Sequence, residues 1–371
     1  MSDIPLEITA TILCRLPVKS LLRFRCVCYP WRSLIDSQDF IALHLRKSAE
    51  TNSYRTLVVE TDDELLYVDL DSLQRLDTGD VRFKRGFVNG SCNGLILLEL
   101  NPQSILLWNP STRKQNPLPP ACPEDSFAPL VRYALGYDSK HHDYKVVRVN
   151  QSTAEQDVFV SFTRVYSLTT NSWKLVADFP YALPGNDAWG FYLNDTLHTV
   201  ISNCLILAFD LAREEFFELP TPDNHGFSHG LVSVEVLGGC LAAVVVTEMS
   251  RSEIWVMKEY GVKESWSRLI SFEMCVTGHT MYMFPLAYSK SGDEILFNNN
   301  GSCFVWYNLG SKTVRVADLE GLGDPSNRNS CGPLFDARVC VESLVSPYDS
   351  GLQWIWEMER QRKRKAIRSR R

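Results

Sequence analysis

Ile105-Leu106-Leu107-Trp108-Asn109 reads as a strand, four large apolar residues ending in an aromatic and stopped by an asparagine suited to a turn. The pattern returns as Leu65-Leu66-Tyr67-Val68-Asp69, Arg164-Val165-Tyr166-Ser167, Leu207-Ala208-Phe209-Asp210, Glu253-Ile254-Trp255-Val256 and Phe304-Val305-Trp306-Tyr307-Asn308. Each copy has the same surroundings: an apolar strand and a turn before it, a polar turn and a closing strand after it. A repeated unit of this kind cannot bury its apolar faces alone, so the copies must stack on one another.

Between the aromatics Tyr67, Trp108, Tyr166, Phe209, Trp255 and Tyr307 the spacing runs from 41 to 58 residues. This is the blade length of a kelch-like propeller, about 50 residues. The spacing predicts an all-β propeller of six blades over residues 54–346, with room between Trp108 and Tyr166 for loop insertions or a seventh, irregular blade. Phe335-Asp336-Ala337-Arg338-Val339-Cys340-Val341 supplies one more strand, able to pair with the first blade and close the ring. Trp173, Phe216 and Trp266, each in a closing strand, are expected to pack between blades as core residues and not as a ligand cage.

Upstream the periodicity is helical. Ile4, Ile8, Ile12 and Leu16 recur every four residues, with Leu6 and Leu13 widening the apolar face. Pro17 ends this helix and opens a second carrying Val18, Leu21, Leu22, Phe24 and Val27; Pro30 opens a third carrying Trp31, Leu34 and Ile35. Asp36 to Gln38 form a break, and a fourth helix is expected over Asp39 to Lys47. The divisions are therefore helices at 1–46, a linker at 47–53, the propeller at 54–346 and a C-terminal segment at 347–371. So small a helical unit hides a modest fraction of its surface. Some of its apolar surface should be an interface, either with a partner or with the propeller that follows.

The bulk properties narrow the function. Forty-five per cent hydrophobic residues indicate a globular chain, and no apolar run is long enough to span a bilayer. The start, Met1-Ser2-Asp3-Ile4-Pro5, lacks the basic and apolar pattern of an export signal. The net charge is −6, yet eight Lys or Arg fall between Arg360 and Arg371, so the body is acidic and no nucleic-acid-binding face is expected. The tail suits either nuclear import or a solubilising role. Eleven scattered cysteines, including Cys204, Cys240, Cys303 and Cys340, read as core thiols, and the Cys26/Cys28 pair lacks the spacing of a zinc site. His141-His142 lies in a polar turn, and His198, His225, His229 and His279 lack a partner motif. No hydrolase, metalloprotease or phosphate-loop motif is present, so no cofactor, metal or catalytic residue is expected.

The run Ile4-Pro5-Leu6-Glu7-Ile8, Ile12-Leu13-Cys14-Arg15-Leu16-Pro17-Val18-Lys19-Ser20-Leu21, Phe24-Arg25-Cys26-Val27-Cys28 and Trp31-Arg32-Ser33-Leu34-Ile35 resembles an F-box. It departs from the family pattern in Tyr29-Pro30, where a basic-small pair is usual. Residues beyond it resemble the plant F-box-associated domain through Gly90-Ser91-Cys92-Asn93-Gly94-Leu95, Leu107 to Lys114, Leu135-Gly136-Tyr137-Asp138 with Asp143 to Val147, Val165 to Leu168 with Asn171-Ser172-Trp173, and Val341 to Val345.

The resemblance implies a non-catalytic substrate-recognition subunit of a Skp-cullin-F-box ubiquitin ligase, in the cytoplasm or nucleus of a plant cell. Its partners would be a Skp-type adaptor, through it the cullin and RING subunits, and a protein substrate held by propeller loops. Matching the motif places the adaptor contacts at Pro5, Leu6, Ile8, Ile12, Leu13, Leu16, Pro17, Val18 and Leu21, with Phe24 and Trp31 internal to the F-box. The alternative is an interaction propeller that works outside any ligase.

Overall fold

Four helices open the chain: α1 (Leu6–Leu13), α2 (Val18–Phe24), α3 (Tyr29–Ile35) and α4 (Gln38–Glu50). The computed structural model describes residues 5–61, 64–76, 86–101, 104–121, 130–153, 159–183, 189–201, 205–222, 230–247, 251–273, 282–317, 319 and 335–348. Pro5 and Pro17 stand at the N-caps of α1 and α2, and Pro30 lies in the first turn of α3, where a missing N–H costs nothing. Ser37 caps α4 by accepting from the Phe40 N–H at 3.3 Å. The fourth helix, expected to stop at Lys47, continues to Glu50, because His44 and Ser48 on its inner face are buried and keep it in register. The stretch between the last helix and the first strand is thereby Thr51 to Tyr54.

The remaining described residues form six antiparallel sheets arranged as the blades of a propeller. The first blade comprises Phe87–Cys92, Leu95–Asn101, Ser104–Asn109 and Lys114–Pro117, and the second Leu130–Asp138, Asp143–Thr153, Phe159–Ser167 and Ser172–Leu175. The third is Phe191–Leu193, Thr196–Ile201, Leu205–Asp210 and Glu215–Leu219. The fourth is Gly230–Leu237, Cys240–Thr247, Arg251–Met257 and Trp266–Glu273. The fifth is Met283–Tyr288, Glu294–Asn299, Cys303–Asn308 and Val314–Ala317. The sixth is closed by the two ends of the propeller: Asp336–Val341 pairs with Arg55–Glu60, which pairs with Leu65–Asp69. Both sides of Arg55–Glu60 are thereby satisfied, and the ring has no break there.

The six aromatics of the repeat all fall in third strands, and five of them are buried. Trp255 is half-buried and donates its indole N–H to Glu253 at 2.9 Å. The repeat visible in sequence comprised three strands per blade; the first five blades each begin with a further, innermost strand, interrupted by Asn89 and Gly90 in the first blade and by Glu235 in the fourth, and three residues long in the third. Six apolar clusters each join two adjacent blades, the last linking Val58 and Tyr67 of the sixth to Ile96 and Trp108 of the first. The interval from Trp108 to Tyr166 holds no extra blade, since clusters pass directly from the first blade to the second and from the second to the third.

The polar residues that end the repeats have a common task. The side chains of Asp69, Asn109, Ser167, Asp210 and Asn308 each accept a backbone N–H three residues on, at 2.8 to 3.1 Å, which folds the turn into the outermost part of the blade. Trp173 and Trp266 pack between blades as expected. Their indoles donate to the carbonyls of Pro119 and Pro220, just past the outer strand of the preceding blade, at 2.8 and 2.9 Å.

Candidate adaptor-binding surface

In α1, Thr9 and Leu13 lie one turn apart and face inward. Leu13 joins Val18, Leu21, Ile35 and Phe40 in one buried cluster, with Phe24 and Trp31 packed against it edge to face at 5.6 Å. Leu13, Val18 and Leu21 were expected at an interface; they are core residues of the helical unit instead. The apolar face of α1 is wider than its core can cover, so Ile8 and Ile12, also one turn apart, point outward. Leu6, Ile8 and Ile12 are 52%, 51% and 53% exposed. Pro5 and Pro17 are exposed beside them, and Leu16 is half-buried.

Two further residues belong to the exposed apolar surface of the helices and were not singled out as contacts: Val27, 61% exposed, and Tyr29, 81% exposed. Val27 falls in the break between α2 and α3 and Tyr29 is the first residue of α3, so helical period alone gave no signal for either as a contact. Covering three half-exposed aliphatic side chains is worth on the order of 1 kcal/mol each. The patch can thus contribute several kcal/mol to an association.

The helices are fastened to the propeller by the chain's far end. Leu344 completes their apolar cluster. Glu342 accepts a hydrogen bond from the Val18 backbone N–H at the start of α2, and burial holds its carboxyl above the usual range. Its own backbone N–H donates to Tyr54 at 2.7 Å. From the helical side, His44 donates from Nε2 to the Leu16 carbonyl at 3.0 Å and is held below its ordinary pKa by burial. Tyr54 donates its hydroxyl to the Arg15 carbonyl at 2.5 Å and stacks on His44.

Residues 1–43 match the F-box domain, and residues 46–323 match the F-box associated beta propeller domain. The chain is an F-box protein of that propeller family. It is 34% identical to the F-box protein CPR1 of Arabidopsis thaliana over 93% of this chain and 89% of that one. It is 32% identical to the Arabidopsis thaliana F-box/kelch-repeat protein At3g23880, over 94% of this chain and 96% of that one. F-box proteins generally serve as substrate receptors and are typically non-catalytic adaptors.

The F-box-associated motifs now acquire physical roles. Asn93 and Gly94, both at positive φ, make the two-residue turn between Cys92 and Leu95. The chain after the last strand crosses this turn so closely that a Cβ on Gly94 would overlap the Ser343 hydroxyl and lie 2.7 Å from the Val341 carbonyl. Asn109 grips the same segment, donating to the carbonyls of Ser343 at 3.1 Å and Val345 at 2.7 Å. Asp138 and Lys145 form a buried pair at 2.8 Å, and Lys145 also donates to the Leu211 carbonyl at 2.6 Å, tying the second blade to the third. The lysine and His141 hold the Asp138 carboxyl below its usual range despite burial.

His141 is thus a partner of Asp138 at 2.7 Å, and the His142 ring lies 3.2 Å from the Tyr137 hydroxyl. His198 is buried between the Phe191 carbonyl and the Tyr260 hydroxyl, and burial lowers its pKa to about 4. Cys26 and Cys28 are exposed free thiols; Cys340 is buried, while Cys240 and Cys303 are partly so. Among the described residues no group of three or more His, Cys, Asp or Glu converges as a metal site. His225, His229, His279, Cys204 and the basic tail lie outside the described residues.

Proposed function

We propose that this F-box protein is the substrate-recognition subunit of a Skp-cullin-F-box ubiquitin ligase, acting in the cytoplasm or nucleus. The observation that carries the reading is the set of exposed apolar side chains on the helical unit, Leu6, Ile8 and Ile12 of α1 together with Val27 and Tyr29, which its buried cluster does not take up. Pro5 and Pro17, exposed, and Leu16, half-buried, are included in the proposed Skp-type adaptor contact; Leu13, Val18 and Leu21 support it from the buried cluster. The subunit accelerates ubiquitin transfer by raising the effective concentration of target lysines near the charged enzyme, with no reacting side chain of its own.

The F-box rests on the face where first and second strands turn into each other, beside Asn93 and His142. The target is therefore assigned to the opposite face, where second strands turn into third strands and blades connect. The short linker and the Glu342 and Leu344 contacts hold this face at a set distance from the adaptor.

The test is co-purification from plant cells of the intact chain and of a triple variant, Leu6→Asp, Ile8→Asp and Ile12→Asp, probed for the Skp-type adaptor and for cullin. Substitution at the surface is preferable to deleting the helices, because α4 is part of the joint with the propeller. Recovery of both partners with the intact chain and of neither with a folded variant is the expected result. Adaptor without cullin would assign the protein to a complex outside the ligase.

A further inference from the structure

Where the innermost strands converge, a cavity of about 530 Å³ lies between the propeller hub and the last turn of α4. This is within the size range of small-molecule sites. Phe191, Tyr192 and Tyr288 give it aromatic walls, Glu235 and Arg338 line it from the fourth blade and the closing strand, and Ala49 borders it from the F-box.

Matched against one another, the ionisable groups around the cavity leave one carboxyl over. Arg338 is engaged by Asp336, Nη2 to Oδ2 at 3.0 Å, and lies over the Phe191 ring at 4.9 Å. Arg55 is held by Asp71 at 3.1 Å and by the Tyr288 carbonyl at 2.6 Å. Glu50 at the end of α4 pairs with Lys47 at 3.0 Å. That leaves Glu235, which is buried and, among the described residues, accepts one side-chain hydrogen bond, from the Ser233 hydroxyl at 2.9 Å. A buried carboxylate so thinly supported is costly. Burial pushes its pKa up to about 8, even against the pull of Arg338. The C-terminal end of α4, which carries partial negative charge, lines the same space.

We infer that this cavity binds a small organic cation of the amine class, its ammonium paired with Glu235 and its methylene chain lying against Phe191, Tyr192 and Tyr288. Aromatic walls suit an organic ammonium. A hard metal ion would require several oxygen ligands where one carboxylate is offered. An anion would have to displace Asp336 or Asp71 from guanidinium groups already engaged. Because the walls come from both domains, the occupant would tie the F-box to the hub and stabilise the whole chain.

The test is calorimetric titration of the full chain with spermidine and with an uncharged diol of matching length, at pH 6.5 and 8.5. The intact chain should bind spermidine saturably and the diol at least about tenfold more weakly. Glu235→Gln should weaken spermidine binding about tenfold or more; Ala49→Lys, which sets an internal ammonium at the cavity, should weaken it similarly.

The pH dependence has a definite sign. The amine requires ionised Glu235, whose pKa lies near 8, so lowering the pH adds a proton that the ligand must displace, and affinity should fall about tenfold or more from pH 8.5 to 6.5. The charged groups facing Glu235 from its neighbours are Arg338 and Asp336 on the closing strand, Glu50 on α4 and Arg55 on the sixth blade. The dependence should vanish in Glu235→Gln. Binding that is undiminished in Glu235→Gln, equal for the diol, or absent at both pH values overturns the inference; the first of these would mark association with the acidic surface.

Discussion

The propeller and the F-box solve the burial of apolar residues in opposite ways. In the propeller six clusters, each shared by two neighbouring blades, follow one another around a closed ring. In the F-box one small cluster is completed by Leu344, borrowed from the end of the propeller, while Leu6, Ile8, Ile12, Val27 and Tyr29 stay in solvent. A repeat covers its surface with copies of itself, whereas a unit of four short helices must find a foreign surface for the remainder. The difference is why the adaptor contact is proposed on the F-box helices.

Adjacent residues on α1 give the sharpest contrast. Leu13→Ala, in the core, should lower stability by about 2–5 kcal/mol, read as a loss of thermal midpoint. Ile12→Ala should leave the midpoint nearly unchanged and weaken Skp-type adaptor binding by about 1–3 kcal/mol, roughly 5- to 150-fold, measured with purified proteins. If both variants lost stability alike, the division of α1 into a core face and a docking face would be wrong.

Gly94→Ala addresses the borrowing between the two regions. A side chain at positive φ and in contact with Ser343 should cost on the order of 3 kcal/mol and loosen the segment that reaches the F-box, so hydrogen exchange should rise in α2 as well as in the first blade. Protection of α2 equal to that of the unaltered protein would separate the two domains energetically. The smallest expected effect is that of Tyr54→Phe, which deletes one hydrogen bond to Arg15 and should cost about 0.5–1.5 kcal/mol. Its effect should be confined to exchange at the joint between α2 and the linker.

The propeller was legible because its signal is periodic: an apolar strand with an aromatic, closed by Asp, Asn or Ser, repeats at blade length, and those closing residues form the outer turns. The closing strand was legible for the same reason. The innermost strands of the first and fourth blades were not, since Asn89 and Glu235, which line the hub, read as loop. For the F-box, four helices and their proline starts could be read, and the motif carried the family. The sorting of nine candidate contacts into covered and open residues could not.

Local chemistry settles what local chemistry can reach. Proline and serine at helix starts, asparagine and glycine in turns, and apolar period all act within a few residues, so the amino-acid order alone was enough to specify four helices followed by a β-propeller, while the exclusion of a seventh blade came from the clusters that join neighbouring blades. Which side of α1 is covered depends on Leu344, more than three hundred residues away. Likewise, the charge left at the hub depends on strands from separate blades meeting around Glu235. The covering of α1 and the carboxyl left over at the hub come from contacts between distant parts of the chain, and they exist once the ring has closed and brought its last strand beside its first.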